Sequence, residues 1–327
     1  MPYHIPALLS ETIEGLSLRP DGTYVDLTFG GGGHSRAIME RLTAGGKLYS
    51  FDQDIEAYNN AMQDPFWQQH EGKDWLFVHG NFRYIRQFLD YYISGQTTDI
   101  REPQEPVVDG ILADLGVSFH HFDESRRGFS FRFEGPLDMR MNQQGGKTAA
   151  DILNGYSEEQ LSSLLYLYGE LRQSRQIARS IVRRRAEHPL INTTDLLEAV
   201  AHGKYRLLPN GEIELDATLK KDLSRLFQSL RIEVNDEMGA LRDMLDAGTE
   251  VLQHGGTFAI LTYHSLEDRM VKNFFRTGGI DGNIEKDFYG NPITPFSPKP
   301  LLLTASDDEV QRNPRSRSAK LRIAKKK

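Results

Sequence analysis

The stretch Asp26-Leu-Thr-Phe-Gly-Gly-Gly-Gly-His-Ser35 decides the fold of this chain. It follows an apolar, β-branched run over residues 23–25 and precedes a helical pattern with Ile38 and Met39 on one side. The order is therefore strand, glycine loop, helix. Consecutive glycines let the backbone turn sharply and leave its amides open to a close ligand. With an aspartate at the strand end, the pattern predicts a nucleotide-type cofactor over the carboxyl end of a parallel sheet.

Further apolar runs extend this unit into an alternating series. The predicted strands are Tyr24–Phe29, Lys47–Asp52, Trp75–His79, Val107–Leu115 and Thr257–His264. The helical patterns between the first four are Ser35–Leu42, Ile55–Met62 and Phe82–Ile93. Alternating strands and helices indicate an α/β fold with parallel strands and right-handed crossovers. The segment 319–324 alternates enough to predict a last strand at the sheet edge.

The alternation stops after the fourth strand. Residues 118–148 have a loop-like composition, and the helical patterns that follow are Ala149–Asn154, Ser157–Tyr168, Leu171–His188 and Thr194–His202. Ser157 and Thr194 resemble helix N-caps. We predict an inserted all-helical domain over 118–214 within a discontinuous domain of 1–117 and 215–327, because a structureless loop of that length is uncommon. One long helix over 218–252, bent at Gly239, then returns the chain to the sheet.

The amino-acid composition excludes several classes of protein. The chain has 327 residues, 39% of them hydrophobic and none of them cysteine, so disulfides and thiolate metal sites are excluded. No apolar run is long enough for a membrane span and the start lacks a secretion signal, which fits a cytoplasmic location. The net charge is −7, yet residues 312–327 hold eight basic residues and no acid. This basic tail is either a solubilising segment or an arm that contacts phosphates.

Two cofactors suit a glycine loop at this position, a dinucleotide and S-adenosylmethionine. The dinucleotide fingerprint needs a third glycine, but Ser35 or Arg36 occupies that place in the two available frames, which favours the methyl donor. Asp52 ends the second strand and suits a ribose diol, which both cofactors carry; it is otherwise a helix N-cap. Asp114 ends the fourth strand and faces the same crevice from the other side.

Six longer segments are the most distinctive motifs of the sequence. They are His4-Ile-Pro-Ala-Leu-Leu, Thr28-Phe-Gly-Gly-Gly-Gly-His-Ser35, Arg127-Gly-Phe-Ser-Phe-Arg-Phe-Glu-Gly-Pro-Leu-Asp-Met-Arg-Met141, Arg231-Ile-Glu-Val-Asn235, His264-Ser-Leu-Glu-Asp-Arg-Met-Val-Lys272 and Asn313-Pro-Arg-Ser-Arg-Ser318. In this order they resemble the bacterial 16S rRNA (cytosine-N4)-methyltransferase family, known as RsmH or MraW. The resemblance covers essentially the whole chain.

This resemblance implies a class I S-adenosylmethionine-dependent methyltransferase, with a Rossmann-like sheet and an inserted helical domain for substrate recognition. The acceptor would be the exocyclic amine of a cytidine in 16S rRNA, in the decoding region of the small ribosomal subunit. By position, the family's cofactor contacts fall on Gly32, Gly33, His34, Asp52, Phe82, Asp114 and His121. The last of these stands where many members have glutamine, within a stretch that in this chain is Ser118-Phe-His-His121.

The chemistry suggests roles for further residues. The cytosine amine is a poor nucleophile, so an acceptor for its N–H would hold it and help localise its lone pair; Asp114 is the candidate. Aromatic stacking offsets part of the cost of extracting a base. Candidate RNA contacts are therefore three phenylalanines beside the crevice and an arginine stripe at helical spacing: Phe129, Phe131, Phe133, Arg172, Arg175, Arg179 and Arg183.

Some features keep a second interpretation. The three phenylalanines would equally anchor their loop in a core, and the polar run after His264 either lines the acceptor pocket or caps the next helix. The ten histidines form no metal pattern, so no metal is expected. Alternative functions are a nicotinamide-dependent oxidoreductase and a catalytically inactive RNA-binding factor of ribosome assembly. No membrane partner is expected, and the sequence leaves monomer and homodimer open.

Overall fold

The computed structural model describes residues 6–43, 45–93, 95, 107–116, 125–290, 293–297 and 300–327. The chain forms two compact units. We call Met1–Gly116 with Gly239–Lys327 the sheet unit, and Val117–Met238 the insert unit. None of the described helices combines the length and hydrophobicity that a membrane span requires.

Nine strands and thirteen α-helices follow one another along the described part of the chain. The strands are β1 (Thr23–Asp26), β2 (Lys47–Asp52), β3 (Trp75–His79), β4 (Val108–Asp114), β5 (Tyr205–Leu207), β6 (Ile213–Leu215), β7 (Leu252–Thr262), β8 (Leu301–Thr304) and β9 (Lys320–Lys325). The helices are α1 (Leu9–Leu16), α2 (Gly33–Met39), α3 (Ile55–Ala61), α4 (Pro65–His70), α5 (Ile85–Ile93), α6 (Ala149–Gly155), α7 (Glu158–Leu167), α8 (Ser174–Glu187), α9 (Thr193–Val200), α10 (Ala217–Val234), α11 (Glu237–Val251), α12 (Ser265–Thr277) and α13 (Asp307–Arg312).

The sheet unit contains a mixed sheet of seven strands in the order β3-β2-β1-β4-β7-β9-β8. The first five of these pair in parallel, whereas β9 is antiparallel to both β7 and β8. The central strands are buried on both faces, which explains their continuous apolar runs. This topology confirms the predicted α/β fold with a Rossmann-like, mainly parallel sheet. The strand order reverses between β1 and β4, and ligands of open α/β sheets bind at such a point.

The end of the chain forms an internal strand of the sheet, whereas the sequence predicted an edge strand. β9 lies between β7 and the true edge strand β8, and Leu321 is fully buried. Lys320 Nζ and Arg322 Nε donate to the carboxylate of Asp268 at 3.0 and 2.7 Å. Lys326 Nζ donates to backbone carbonyls at 249 and 252. Within the basic tail, Lys320 and Arg322 are therefore paired with an acid, and Lys326 is held by main-chain carbonyls.

The insert unit is mainly helical, and it also holds a short antiparallel hairpin, β5–β6, that the sequence did not predict. Its core includes Leu226, Phe227 and Leu230 of α10. Because α10 packs into this core, the compact unit extends to Met238, whereas the predicted boundary lay at 214. The Ser157 cap is confirmed by its bond from the Gln160 N–H.

Two local predictions were wrong. The cap of α9 is Asn192, whose side chain accepts from the Asp195 N–H, and not Thr194. The predicted long helix is two helices that separate before Gly239. The Asn235 side chain accepts from Met141 N at 2.8 Å and donates to Met139 O at 2.8 Å, and the next residue is left-handed. These side-chain bonds and the left-handed residue end α10.

Candidate active site at the carboxyl ends of the parallel strands

The glycine loop joins β1 to α2 in a shape that glycine alone fits easily. Gly30 and Gly32 have positive φ values of 51° and 74°. A Cβ atom on Gly32 would lie 2.8 Å from the ring of Phe29, and one on Gly33 would lie 2.4 Å from Pro6 Cγ. The loop therefore needs both conformational freedom and the absence of side chains, as the sequence predicted.

Asp52 holds this loop from the end of β2. Its Oδ2 accepts from Gly30 N at 2.8 Å, and its Oδ1 accepts from Asp54 N at 2.9 Å. The alternative role as a helix cap falls to Asp54, whose side chain accepts from Glu56 N. Asp52 is half-buried, so the glycine loop and a carboxylate suited to a ribose diol are fixed together.

Behind the loop, Asp26 ends a buried chain of hydrogen bonds. Trp75 Nε1 donates to Ser50 Oγ at 3.0 Å, the Ser35 and Ser50 hydroxyls lie 2.8 Å apart, and Ser35 Oγ donates to Asp26 Oδ2 at 2.7 Å. Since Ser35 donates to the carboxylate, Ser50 must donate to Ser35, and every bond is directed toward Asp26. Burial raises the pKa of Asp26, and the hydrogen bonds from Ser35 and from the Thr28 backbone are among the interactions that oppose that rise.

Asp114 ends β4 beside the glycine loop. Its backbone N–H donates to Thr28 Oγ1 at 2.6 Å, and its Oδ1 accepts from the Tyr263 hydroxyl at 2.7 Å. Burial raises the pKa of Asp114 to about 7, which the Tyr263 hydrogen bond opposes and nearby Glu267 assists. A carboxylate with that pKa is poised to exchange a proton near neutral pH.

His34 lies near both Asp26 and Asp114. Its Nδ1 is 3.6 Å from Asp114 Oδ2, which is longer than a hydrogen bond. Burial lowers the pKa of His34, while the charge of Asp26 opposes this change. We take the ring to be neutral, because it is 5% exposed and its nearest carboxylate makes no direct bond to it.

The polar run that follows β7 caps a helix. His264 is the N-cap of α12, and its side chain accepts from Glu267 N. Its Nε2 also lies 3.0 Å from Glu267 Oε1. Asp268 is bonded to Lys320 and Arg322 of β9 and is therefore not turned toward an acceptor. Of the two interpretations, capping is the one confirmed.

Of the remaining predicted cofactor residues, the structure describes Phe82 but not His121. Phe82 opens a 3₁₀ turn just after β3 and is half-buried, with Asn81 as its cap. A partly open ring at a strand end suits the face of an adenine. His121 and the whole stretch 118–121 lie outside the described residues.

In the insert unit the three phenylalanines differ in exposure. Phe129 is 4% exposed and packs in the core, with the Arg127 guanidinium 5.9 Å from its ring centre. Phe131 packs edge-on against Phe227 at 5.3 Å. Phe133 is half-buried and is bonded through its backbone to Thr193. The core interpretation thus holds for Phe129 and for Phe131, which packs against the same cluster, whereas Phe133 is half-buried.

The predicted arginine stripe lies along α8 and just before it. Arg172, Arg175, Arg179 and Arg183 are exposed, and Arg179 makes one long contact of 3.4 Å with Glu158. The adjoining Arg184 and Arg185 are engaged by Glu198 and by the Leu153 carbonyl. The exposed members therefore form a basic surface of the insert unit.

A separate cavity of about 440 Å³ lies at the opposite, amino ends of the strands. Its lining includes Arg19, Asp109, His254 and Lys325 but none of the predicted site residues. Asp109 is already bonded there by the Arg19 guanidinium and by Thr23 N. We therefore place the functional site at the carboxyl ends, where glycine loop and acids converge.

The sequence analysis missed two residues, Tyr263 and Thr28, whose hydrogen bonds hold Asp114 in place. Tyr263 stands just before the His264 motif, and its partner lies 149 residues away in the chain. The signal that could have found it is its position at the end of the predicted strand that pairs with β4. Thr28 follows Asp26 by two residues, and its hydroxyl accepts from Asp114 N.

Comparisons with known proteins identify the family of this chain. The profile of the MraW methylase family matches residues 1–327. The chain is 51% identical over 328 residues to the ribosomal RNA small subunit methyltransferase H of Bacteroides thetaiotaomicron, covering 100% of this chain and 98% of that one. It is 52% identical over 332 residues to the protein of the same name from Porphyromonas gingivalis, covering 99% and 97%. A solved rRNA methylase from Streptococcus thermophilus is similar at 12% identity and a TM-score of 0.38, covering 99% and 98%.

Proposed function

Because the chain belongs to the MraW methylase family, we propose that it transfers a methyl group from S-adenosylmethionine to small-subunit ribosomal RNA. The acceptor in this proposal is the N4 amine of a cytidine in the decoding region of 16S rRNA. The observation that carries the proposal is the family match over residues 1–327, in a chain whose glycine loop and strand-end acids have the required arrangement.

The charge of the strand-end site favours this donor over a dinucleotide. Asp26, Asp52 and Asp114 end three adjacent strands beside the glycine loop. The sulfonium and ammonium groups of S-adenosylmethionine are cationic and complement these acids, whereas a pyrophosphate would be repelled by them. In the proposed site Asp52 holds the ribose diol, Phe82 contacts the adenine, and Gly32 with Gly33 allows the close approach.

Asp114 has the role of acceptor for the cytosine amine. S-adenosylmethionine supplies an activated methyl group, so the protein's task is mainly to position the nucleophile. A carboxylate oxygen that accepts an N–H bond from the amine orients it and increases the electron density on nitrogen. Because the pKa of Asp114 is about 7, this oxygen is available at neutral and higher pH.

The insert unit supplies the RNA surface in this proposal. Arg175, Arg179 and Arg183 would contact phosphates, for which the planar guanidinium is well suited. Phe133 is the candidate for stacking on a base, because Phe129 is buried and Phe131 packs against Phe227 in the core cluster, whereas Phe133 is half-buried. His121 keeps the predicted role in cofactor binding, as a proposal.

The test is methyl transfer from isotope-labelled S-adenosylmethionine to purified small subunits, followed by nuclease digestion and mass mapping of nucleosides. We expect labelled N4-methylcytidine from one decoding-region fragment. Label on another nucleoside would refute the acceptor, and no label despite cofactor binding would support the inactive assembly factor. Calorimetry with S-adenosylmethionine and NAD tests the oxidoreductase alternative, which predicts binding of NAD only.

A further inference from the structure

Tyr263 is fixed at both ends beside the proposed acceptor group. Its hydroxyl donates to Asp114 Oδ1 at 2.7 Å, and its backbone N–H donates to Glu267 Oε2 at 3.1 Å. The residue follows β7, which pairs with β4 up to Leu261 opposite Asp114. The ring therefore reaches across from the neighbouring strand and is not a flexible surface side chain.

This contact leaves the two oxygens of Asp114 unequal. Oδ1 is occupied by the Tyr263 hydroxyl, while Oδ2 is 3.6 Å from His34 Nδ1 and accepts no bond from it. The main-chain bond to Thr28 fixes the backbone from which the carboxyl projects. Oδ2 is thus the oxygen that remains for an N–H donor of a ligand.

We infer that Tyr263 is a positioning residue, which holds Asp114 as an oriented carboxylate with Oδ2 turned toward the acceptor amine. This inference rests on the proposed function. A phenol that donates to Oδ1 stabilises the ionised form of the acid by a charge-assisted hydrogen bond. In this inference Tyr263 acts through its hydrogen bond to Asp114 and is not itself a catalytic residue.

The other charged groups around Asp114 do not lower its pKa as the Tyr263 hydroxyl does. Glu267 from α12 disfavours the negative charge on Asp114, and the charge of Asp114 in turn raises the pKa of Asp26 from β1. His34 from α2 is buried and neutral, and Glu309 from α13 acts on Tyr263 itself. Among the groups that shift the pKa of Asp114, the Tyr263 hydroxyl is the one that lowers it. Its loss should therefore raise that pKa further.

The test is the pH profile of kcat/KM for methyl transfer to small subunits by Tyr263→Phe, from about pH 5.5 to 9.5. We expect the acidic limb to move to higher pH, with kcat/KM about tenfold below wild type at pH 6 and converging with it by pH 9. In an Asp114→Asn background, which we expect to be inactive, the same substitution should cause no further change in the pH dependence of the free energy of unfolding.

Tyr24→Phe is the matched control. Tyr24 is 1% exposed in the same unit, and its hydroxyl accepts from Arg19 N at 2.7 Å near the amino ends of the strands. Its removal should leave the pH profile unchanged. A Tyr263→Phe profile that superimposes on wild type, or one lowered equally at every pH, would overturn the inference. A wild-type protein that transfers no methyl group would instead overturn the proposed function.

Discussion

Replacing Asp114 with asparagine should stabilise the folded protein at alkaline pH and abolish methyl transfer. An unfolded aspartate ionises near 3.8, whereas Asp114 keeps its proton up to about pH 7 in the fold. The folded state therefore binds this proton more tightly, and the free energy of unfolding falls as pH rises between these values. Asparagine cannot ionise, yet its oxygen still accepts the Tyr263 hydrogen bond.

The magnitude follows from the difference in pKa. Each pKa unit corresponds to about 1.4 kcal/mol, so a difference of roughly three units gives at most about 4 kcal/mol at pH 8. The Asp114 side chain is 24% exposed, and solvent reduces this value. We expect a gain on the order of 2–4 kcal/mol at pH 8, shrinking toward zero as pH falls to 4.

Urea and thermal unfolding of the cofactor-free protein at pH 5 and pH 8 measure this gain. Asp268→Asn is the control of opposite sign, because its bonds to Lys320 and Arg322 lower the pKa of Asp268 despite its partial burial. That variant should lose stability at pH 8. If Asp114→Asn were no more stable than wild type at pH 8, or retained near-normal turnover with saturating cofactor, the reasoning would be refuted.

The remaining predictions concern the glycine loop and the insert unit. Gly32→Ala should lower the free energy of unfolding by about 1–3 kcal/mol, because Gly32 has a positive φ and a Cβ there would clash with Phe29. Gly45→Ala is the control, since Gly45 also has a positive φ but faces open space; an equal loss of stability in both variants would refute the role of the Phe29 contact. The double variant Arg175→Glu/Arg183→Glu should reduce by about two the slope of log binding constant against log salt concentration for small-subunit binding, whereas Arg41→Glu should leave that slope unchanged. A double variant with the wild-type slope would exclude phosphate contact by these arginines. Phe133→Ala should weaken RNA binding by about 1–3 kcal/mol while cofactor affinity holds, and retained RNA affinity would reject stacking.

The parallel part of the fold was predictable because its signals are local. Each of the first four strands is a short apolar run, the first three are followed by helical patterns, and the glycine loop marks where the first of them ends. Edge strand β8 was missed although residues 301–303 are three leucines. Leu301 and Leu302 are exposed, and the pairing with β9 that makes the segment a strand is visible only in the fold. Hairpin β5–β6 has three residues in each strand and sits in a polar context, so its pattern was too short to detect.

The candidate site was predictable where one residue type at a strand end suffices, as for Asp52 and Asp114. It was not predictable where a role depends on a distant partner. Lys320 and Arg322 look like part of a free basic tail in the sequence, and only the pairing of β7 with β9 brings them to Asp268. The same pairing problem hid Tyr263, since its effect on Asp114 exists only once β4 and β7 are adjacent.

The charges of the strand-end acids affect both the stability of the folded protein and the proposed binding of the methyl donor. Burial raises the pKa values of Asp26 and Asp114, so the cofactor-free site carries acids that the fold alone does not fully stabilise. A cationic ligand relieves this cost, because its charge favours the ionised form of both acids. Methyl transfer converts the sulfonium to a neutral thioether, so that part of the attraction disappears once the reaction has occurred. If the proposed function holds, the same acids favour binding of the donor over retention of its product, and replacing them with neutral residues should stabilise the fold but remove that difference.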